Sequence, residues 1–508
     1  MKSKKKINKK IIVILSILLV AAIITIALLV NAARSKKELT LSEKKWIEEN
    51  KKNMIDIYVV NDLPIFSASD NDIFLSFLDY FEVETGLSLN KVSYSLSSEV
   101  PTADYEFKII SENYDLSRTD LLFYNDNYVI LSSENKKLQN VSDLEGFKIG
   151  VLTSNLSSIS EYLSYSSSLT FESYEDDVQL FNDFADGTLD YIILPKNRYL
   201  SNIVLNDYYI VYNLSSLSNK YVLTISDDDT KLDSIFSKLY QKWYDNNFDK
   251  LYTERMSNFY YETKEIDDKV KSSFLGKTYI YGYVENIPYD ISSRKGLNVE
   301  FLSGFENFSG VEFQFKKYNS IKDLTEAYED GDIDVMFNYY GLDSSNSNET
   351  INIYNSSYVI LTYIENNVTV DSLVSLADKD IYALKDTALT TYINNNTKAT
   401  VKAYSKVNNL LTNGEPLILL DLNTYNYYKN TKLKDYYIVY EDTADLDYNF
   451  LVKKDTTNNT FYDVFQYYLT NINHTEFINK GMADIINNSF FANLSFFYYL
   501  IFAVVCAV

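Results

Sequence analysis

Two tandem copies of one α/β domain, set between two apolar segments, form the architecture that this 508-residue sequence predicts. Three observations predict it. The chain matches itself, in order, at an offset of about 223 to 230 residues. Each copy alternates strand-like and helix-like segments, and an uncharged run stands near each end. The repeat is explicit: residues 207–212 and 435–440 are the same hexapeptide, DYYIVY, and NYVIL at 127–131 answers SYVIL at 357–361. IYVVNDLP at 57–64 answers IYGYVENIP at 280–288, while Gly86, Gly187 and Met256 pair with Gly310, Gly414 and Met482. One such match is cheap in a chain with 47 tyrosines, but six in one order are not.

The elements of the first copy follow from pattern. Ile55–Val60 and Leu89–Tyr94 alternate as strands, and between them Asp72–Thr85 places Ile73, Phe74, Phe77, Leu78 and Phe81 on one helical face, with Gly86 as its stop. Lys148–Leu152 reads as a strand and Leu156–Tyr165 as a helix. Val178–Ala185 is a helix closed by Gly187, Leu189–Leu194 a buried strand, and Leu232–Tyr252 a long closing helix. That alternation implies parallel sheets with ligand positions at the carboxyl ends of the strands. Glu262–Ser273 is charged and poor in apolar residues, so 263–274 is expected to be a linker between domains at 39–262 and 275–487.

The run Ile11–Val30 is 20 residues without a charge, enough to span about 30 Å of hydrocarbon. Six lysines within residues 1–10 precede it, and all 70 acidic residues follow it, which places the tail inside the cell, an anchor at 11–31, and residues 35–489 outside the cell membrane. A cleaved signal peptide is the rival reading. Residues 490–508 are again uncharged and are expected to be a second, incomplete membrane segment leading to a missing cytoplasmic portion. One cysteine and one histidine, Cys506 and His474, exclude a disulfide framework, a Cys/His zinc site and an ordinary hydrolase triad, so no catalytic set, metal or cofactor is expected. A net charge of −23 argues against nucleic-acid partners. The Asp227-Asp228-Asp229 run reads as a solvated turn rather than a calcium site.

The order of motifs in the first copy resembles that of family 3 bacterial solute-binding domains, the type 2 periplasmic-binding or Venus-flytrap fold. The landmarks are Pro64 and Phe66 after the first strand, the helix ending at Gly86, Arg118 ten residues before Tyr128, VSDLEGFKIGV at 141–151, and DGTLD at 186–190. LTLSEKKWI at 39–47 is similar to the segment that precedes such domains in membrane-bound bacterial sensors. The resemblance implies two-lobed clamps whose crossing strands are 128–133 with 210–223 in the first copy and 358–363 with 438–451 in the second.

It also implies a ligand set: an arginine fork for a carboxylate, a helix start in the second lobe, and an aspartate for an amine. By the resemblance Arg118 matches the arginine and Tyr128 its following landmark, Thr153, Ser154 and Asn155 the helix start, and Phe66 the aromatic of the first loop. The amine position falls on Pro195 in the first copy. In the second, Asp421 stands there while Asn348 stands near the arginine's place. Each residue has an ordinary alternative: Arg118 as a surface partner of Asp115 or Asp120, Thr153 and Ser154 as helix caps, Asp421 as a turn residue. The expectation is a membrane-anchored sensor of a small solute, carboxylate or amino-acid-like, signalling to a kinase or diguanylate cyclase type effector. A binding protein fused to an import permease, a non-binding structural ectodomain, and assembly as a homodimer stay open.

Overall fold

The computed structural model describes residues 38–486, apart from residues 70, 97–102, 112–115, 118, 135–137, 139, 166–168, 227–229, 343, 367, 413 and 455–458. The apolar runs at 11–31 and 490–508, and Asp227–Asp229, therefore lie outside the described residues. Among the described residues no helix is long and apolar enough to cross a membrane. The chain divides at Glu265/Ile266 into two compact units.

Unit one runs α1 (Leu41–Asn50), β1 (Met54–Val60), α2 (Ile73–Thr85), β2 (Ser88–Tyr94), β3 (Tyr105–Ile110), β4 (Asp120–Ser132), β5 (Ile149–Leu152) and α3 (Thr153–Tyr162). It continues through β6 (Phe171–Tyr174), α4 (Asp177–Ala185), β7 (Tyr191–Pro195), α5 (Leu200–Leu205), β8 (Tyr209–Ile225), α6 (Thr230–Trp243) and α7 (Asp249–Thr263). The strands order as β2-β1-β3-β8-β4-β7-β5-β6. β4 and β8 are long enough, at 13 and 17 residues, to pair antiparallel through both halves of this sheet. Their register slips at Leu122/Tyr124, at Asn127/Tyr128 and at Ile130/Leu131. The halves on either side are the two lobes, and β4 and β8 are the strands that cross between them.

Unit two runs α8 (Asp268–Leu275), β9 (Thr278–Val284), α9 (Leu297–Ser309), β10 (Glu312–Tyr318), α10 (Ile321–Glu329), β11 (Val335–Phe337), β12 (Ser347–Glu349), β13 (Ser357–Tyr363) and β14 (Asp380–Leu384). Then come α11 (Ala388–Asn396), β15 (Thr400–Tyr404), α12 (Val407–Thr412), β16 (Leu417–Asp421), α13 (Leu422–Tyr428), β17 (Tyr436–Thr443), β18 (Phe450–Lys453) and α14 (Thr460–Asn471). Its lobes are separate sheets, β10-β9-β11-β18-β12 and β15-β14-β16-β13-β17. With β12 and β13 standing for the halves of β4, and β17 and β18 for those of β8, the strand order repeats that of unit one. The internal repeat of the sequence is thus a repeat of topology.

The second lobes show why unbroken apolar runs became strands. Every residue of β7 and of β16 is buried, because side chains on both faces of the sheet meet a core. In unit one Val129, Leu131, Ile192 and Leu194 pack on one face, and Tyr128, Ile130, Tyr191 and Ile193 on the other. Gly150 on β5 leaves room for this packing, since a Cβ there would lie 2.5 Å from Leu189 Cδ1 and 2.6 Å from Leu180 Cδ1.

Two segments depart from expectation. The closing helix is broken by a π-turn at Tyr244–Phe248, where the Asn246 and Asn247 side chains donate to the carbonyls of Lys242 and Trp243 at 2.6 and 3.1 Å. The stretch read as a linker is mostly helix α8. Asp267 caps it by accepting from Lys269 N at 2.7 Å, and its one buried apolar residue, Phe274, packs on Tyr279 and Phe461.

Candidate functional site

Lobe-spanning hydrogen bonds locate the cleft in each unit. In unit one Asn197, just past β7, donates its side-chain amide to Pro64 O, just past β1, at 3.1 Å. Carboxyl ends of strands from both lobes therefore face one another. β5 lies beside β7 in parallel, so the start of α3 at Thr153 belongs to the same edge. Thr153 and Ser154 are exposed there, and Leu152 is an N-cap without a side-chain acceptor, so neither hydroxyl residue is the cap.

A buried carboxylate sits at this junction, and it comes from β4. Asp126, fully buried, accepts from Asn197 N at 2.6 Å, Arg198 N at 3.0 Å and Tyr221 Oη at 2.8 Å. Burial pushes its carboxyl up to about 6, against the pull of those three bonds and of the Lys196 charge. Burial likewise pushes the Lys196 ammonium down to about 8, against the attraction of Asp126. The Asn197 side-chain oxygen, on the same amide that spans the lobes, is buried without a hydrogen-bond partner, as is Ser67 Oγ in the loop after β1.

In unit two Asp421 is the bridge. Its Oδ1 accepts from Tyr289 Oη at 2.6 Å and Thr424 N at 2.9 Å, and its Oδ2 from Tyr339 Oη at 2.8 Å and Thr424 Oγ1 at 2.6 Å. Tyr289 follows β9 and Tyr339 follows β11, so both tyrosines reach from the first lobe into the second. Burial and then the Asp421 charge hold both phenols well above their usual range. Behind them a second buried carboxyl, Asp290, accepts from Tyr281 Oη at 3.0 Å and Asn298 Nδ2 at 2.8 Å, and burial raises it to about 7 against those bonds.

The sequence-derived residues distribute unevenly over this frame. Tyr128 lies opposite Pro195 in the β4/β7 register as Tyr358 lies opposite Asp421 in β13/β16, so Pro195 and Asp421 are equivalent positions. Tyr128 donates to Asn219 Oδ1 at 3.3 Å. Thr153, Ser154 and Asn155 occupy the helix start at the cleft edge. Phe66 is fully buried between Phe74, Tyr124, Tyr221 and Tyr252, a core position. Arg118 lies outside the described residues. Asn348 stands on edge strand β12 and bonds Asn459 Oδ1 at 3.3 Å, while Asp421 serves both as the cap of α13 and as the lobe bridge. Sequence reasoning missed Asp126, Asn197, Tyr289 and Tyr339. Their shared signal is position, two to five residues past a strand end or on a crossing strand.

No protein-family model matches the chain, and no curated protein matches it. Solved structures do. One described as "Structure of VC protein" is 12% identical over 84% of this chain and 99% of its own, with a TM-score of 0.53. The periplasmic domain of BvgS from B. pertussis is 13% identical over 91% of this chain and 96% of its own, with a TM-score of 0.36. The GluR0 ligand-binding core from Nostoc punctiforme, in complex with L-glutamate, is 16% identical over 41% of this chain and 98% of its own, with a TM-score of 0.34. Identities this low speak to the fold alone. The duplicated strand order and the crossing strands, with the first of these likenesses alone, give the fold as that of two tandem Venus-flytrap domains.

Proposed function

We propose that the chain is the solute-sensing ectodomain of a membrane-anchored receptor, with unit one as the clamp that closes on a small solute. The observation that carries this reading is the lobe junction of unit one. There, Asn197 spans the lobes with its amide nitrogen and leaves its amide oxygen buried and unpartnered, on the edge where α3 begins uncapped. A solute with an N–H or O–H donor satisfies the oxygen, and an anionic or acceptor group suits the helix start. A carboxylate or an amino-acid-like molecule has both. Closure then follows from contacts that only the closed state completes, and coupling of about 1 to 3 kcal/mol is enough to signal. The anchor rests on the 20-residue apolar run after the lysine-rich tail.

The test is thermal unfolding of the full chain in detergent, followed by tryptophan fluorescence, with carboxylates, amino acids and neutral sugars supplied in turn. Both tryptophans, Trp46 and Trp243, lie in unit one. A solute at about 100 times its Kd stabilises by about 2.7 kcal/mol, and that shift is expected for a carboxylate-bearing solute and reduced in Asn197→Ala. No shift with any class, or an undiminished shift in the variant, contradicts the reading.

A further inference from the structure

We infer that the 338–342 turn is an internal ligand: Tyr339 occupies the recognition groups of unit two's second lobe and holds that unit closed without a solute. On that lobe the amide at the start of α11 and the Asp421 carboxylate both bond the first lobe. Tyr339 takes both. Its carbonyl accepts from Ala388 N at 3.2 Å, and its hydroxyl donates to Asp421 Oδ2 at 2.8 Å. One residue of the first lobe thus presents an acceptor to a helix start and a donor to a carboxylate, the two complementarities a small bound molecule would have to offer.

The turn is built to present this residue. Asn338 N donates to Asn449 O at 2.9 Å, and the Asn338 side chain accepts from Leu342 N at 2.9 Å, which closes the turn. Gly341, at φ +66°, brings the backbone against α11, since a Cβ there would stand 3.2 Å from Ala388 Cβ. The Tyr339 ring is 3% exposed and packs against Tyr289 and Tyr448, at centroid distances of 5.1 and 5.7 Å. Tyr289 adds further lobe-spanning bonds, donating to Asp421 Oδ1 at 2.6 Å and accepting from Asn423 Nδ2 at 3.3 Å. A tethered, preorganised occupant loses little freedom on docking and is present at an effective concentration that a free solute does not reach. Unit two is accordingly a clamp whose occupant is covalently part of it, a role distinct from that proposed for unit one.

Hydrogen exchange in the full chain tests this, because amides at the start of α11 exchange through lobe opening even when the open form is rare. Tyr339→Phe keeps the ring and removes only the hydroxyl's bond to a charged acceptor. It is expected to speed exchange of the peptide spanning 386–392 by about ten- to a hundredfold, with amides of β14 and β16 unchanged. Tyr289→Phe gives an independent reading of the Tyr289 hydroxyl's bonds and is expected to act in the same direction. In Tyr339→Ala, exchange is expected to accelerate further and to be slowed again by added 4-methylphenol, a free copy of the lost side chain. Exchange at 386–392 unchanged in both phenylalanine variants overturns the inference. So does uniform acceleration across unit two, which marks general destabilisation rather than lobe opening.

Discussion

Replacing Asp126 by alanine removes the acceptor of three donors at once: the buried Asn197 N and Tyr221 Oη and the partly buried Arg198 N. Each donor left without a partner costs about 1 to 3 kcal/mol. Against this, the variant is relieved of burying a carboxyl that burial has already raised from 3.8 to about 6, a credit of about 3 kcal/mol at 1.36 kcal/mol per unit. It also strips buried Lys196 of its counter-charge, which adds to the loss. At about 2 kcal/mol for each donor, and with the Lys196 loss added, the net expectation is about 3 to 5 kcal/mol, the range for breaking a buried charged pair, or about 10 °C for a unit of this size. Asp126→Asn, which keeps one acceptor oxygen, is expected to lose less. Tryptophan fluorescence reads this cleanly, because Trp46 and Trp243 report on unit one and the sequence of unit two contains no tryptophan. A loss below about 1 kcal/mol in Asp126→Ala would refute the view that this carboxylate organises the hinge and the loop after β7.

Other consequences are equally specific. Burial opposes the charge of Glu43, but bonds from Lys238, Ser234 and Thr40 outweigh it and lower its carboxyl to about 2, so its stabilisation is present above pH 4.5 and is lost as pH falls through about 2. Glu43→Gln should flatten that acid limb in fluorescence-detected unfolding. Asp290 has the opposite sign: with its folded value at about 7, its contribution is complete below 3.8 and declines as pH rises through 7. Asp290→Asn should therefore remove a falling component of unit two's stability between those values, measured by urea titration with circular dichroism. Gly150→Ala forces a methyl onto Leu180 and Leu189 and is expected to cost about 1 to 3 kcal/mol in the same fluorescence assay.

How much of this was legible in sequence depends on the range of the interaction. Strand β7 was readable because burial on both faces demands an unbroken apolar run, and helix ends at Gly86 and Gly187 because both adopt positive φ. The repeat was readable because the same strands recur in the same order. The π-turn was hidden because it depends on two asparagines capturing nearby carbonyls, and helix α8 because a single inward Phe274 leaves no apolar stripe. At the site, Asp126 sits between Asn125 and Asn127, a polar triplet that reads as a turn, yet it lies within strand β4. The Tyr339–Asp421 bond joins residues 82 apart across two lobes, and nothing local in either segment announces it.

In the proposed division of labour, unit one closes on a solute and unit two is closed on itself. Lobe-to-lobe distances in the two units test it directly, measured by paired spin labels in the full chain with Cys506→Ser as background. Labels at Val83 and Val178 report unit one, and labels at Lys322 and Val374 report unit two, all four being exposed positions. With amino acids and dicarboxylates added in turn, the account predicts that at least one shifts the 83–178 distance distribution to shorter values while the 322–374 distribution stays narrow and fixed. A solute-dependent change at 322–374 with none at 83–178 would contradict it.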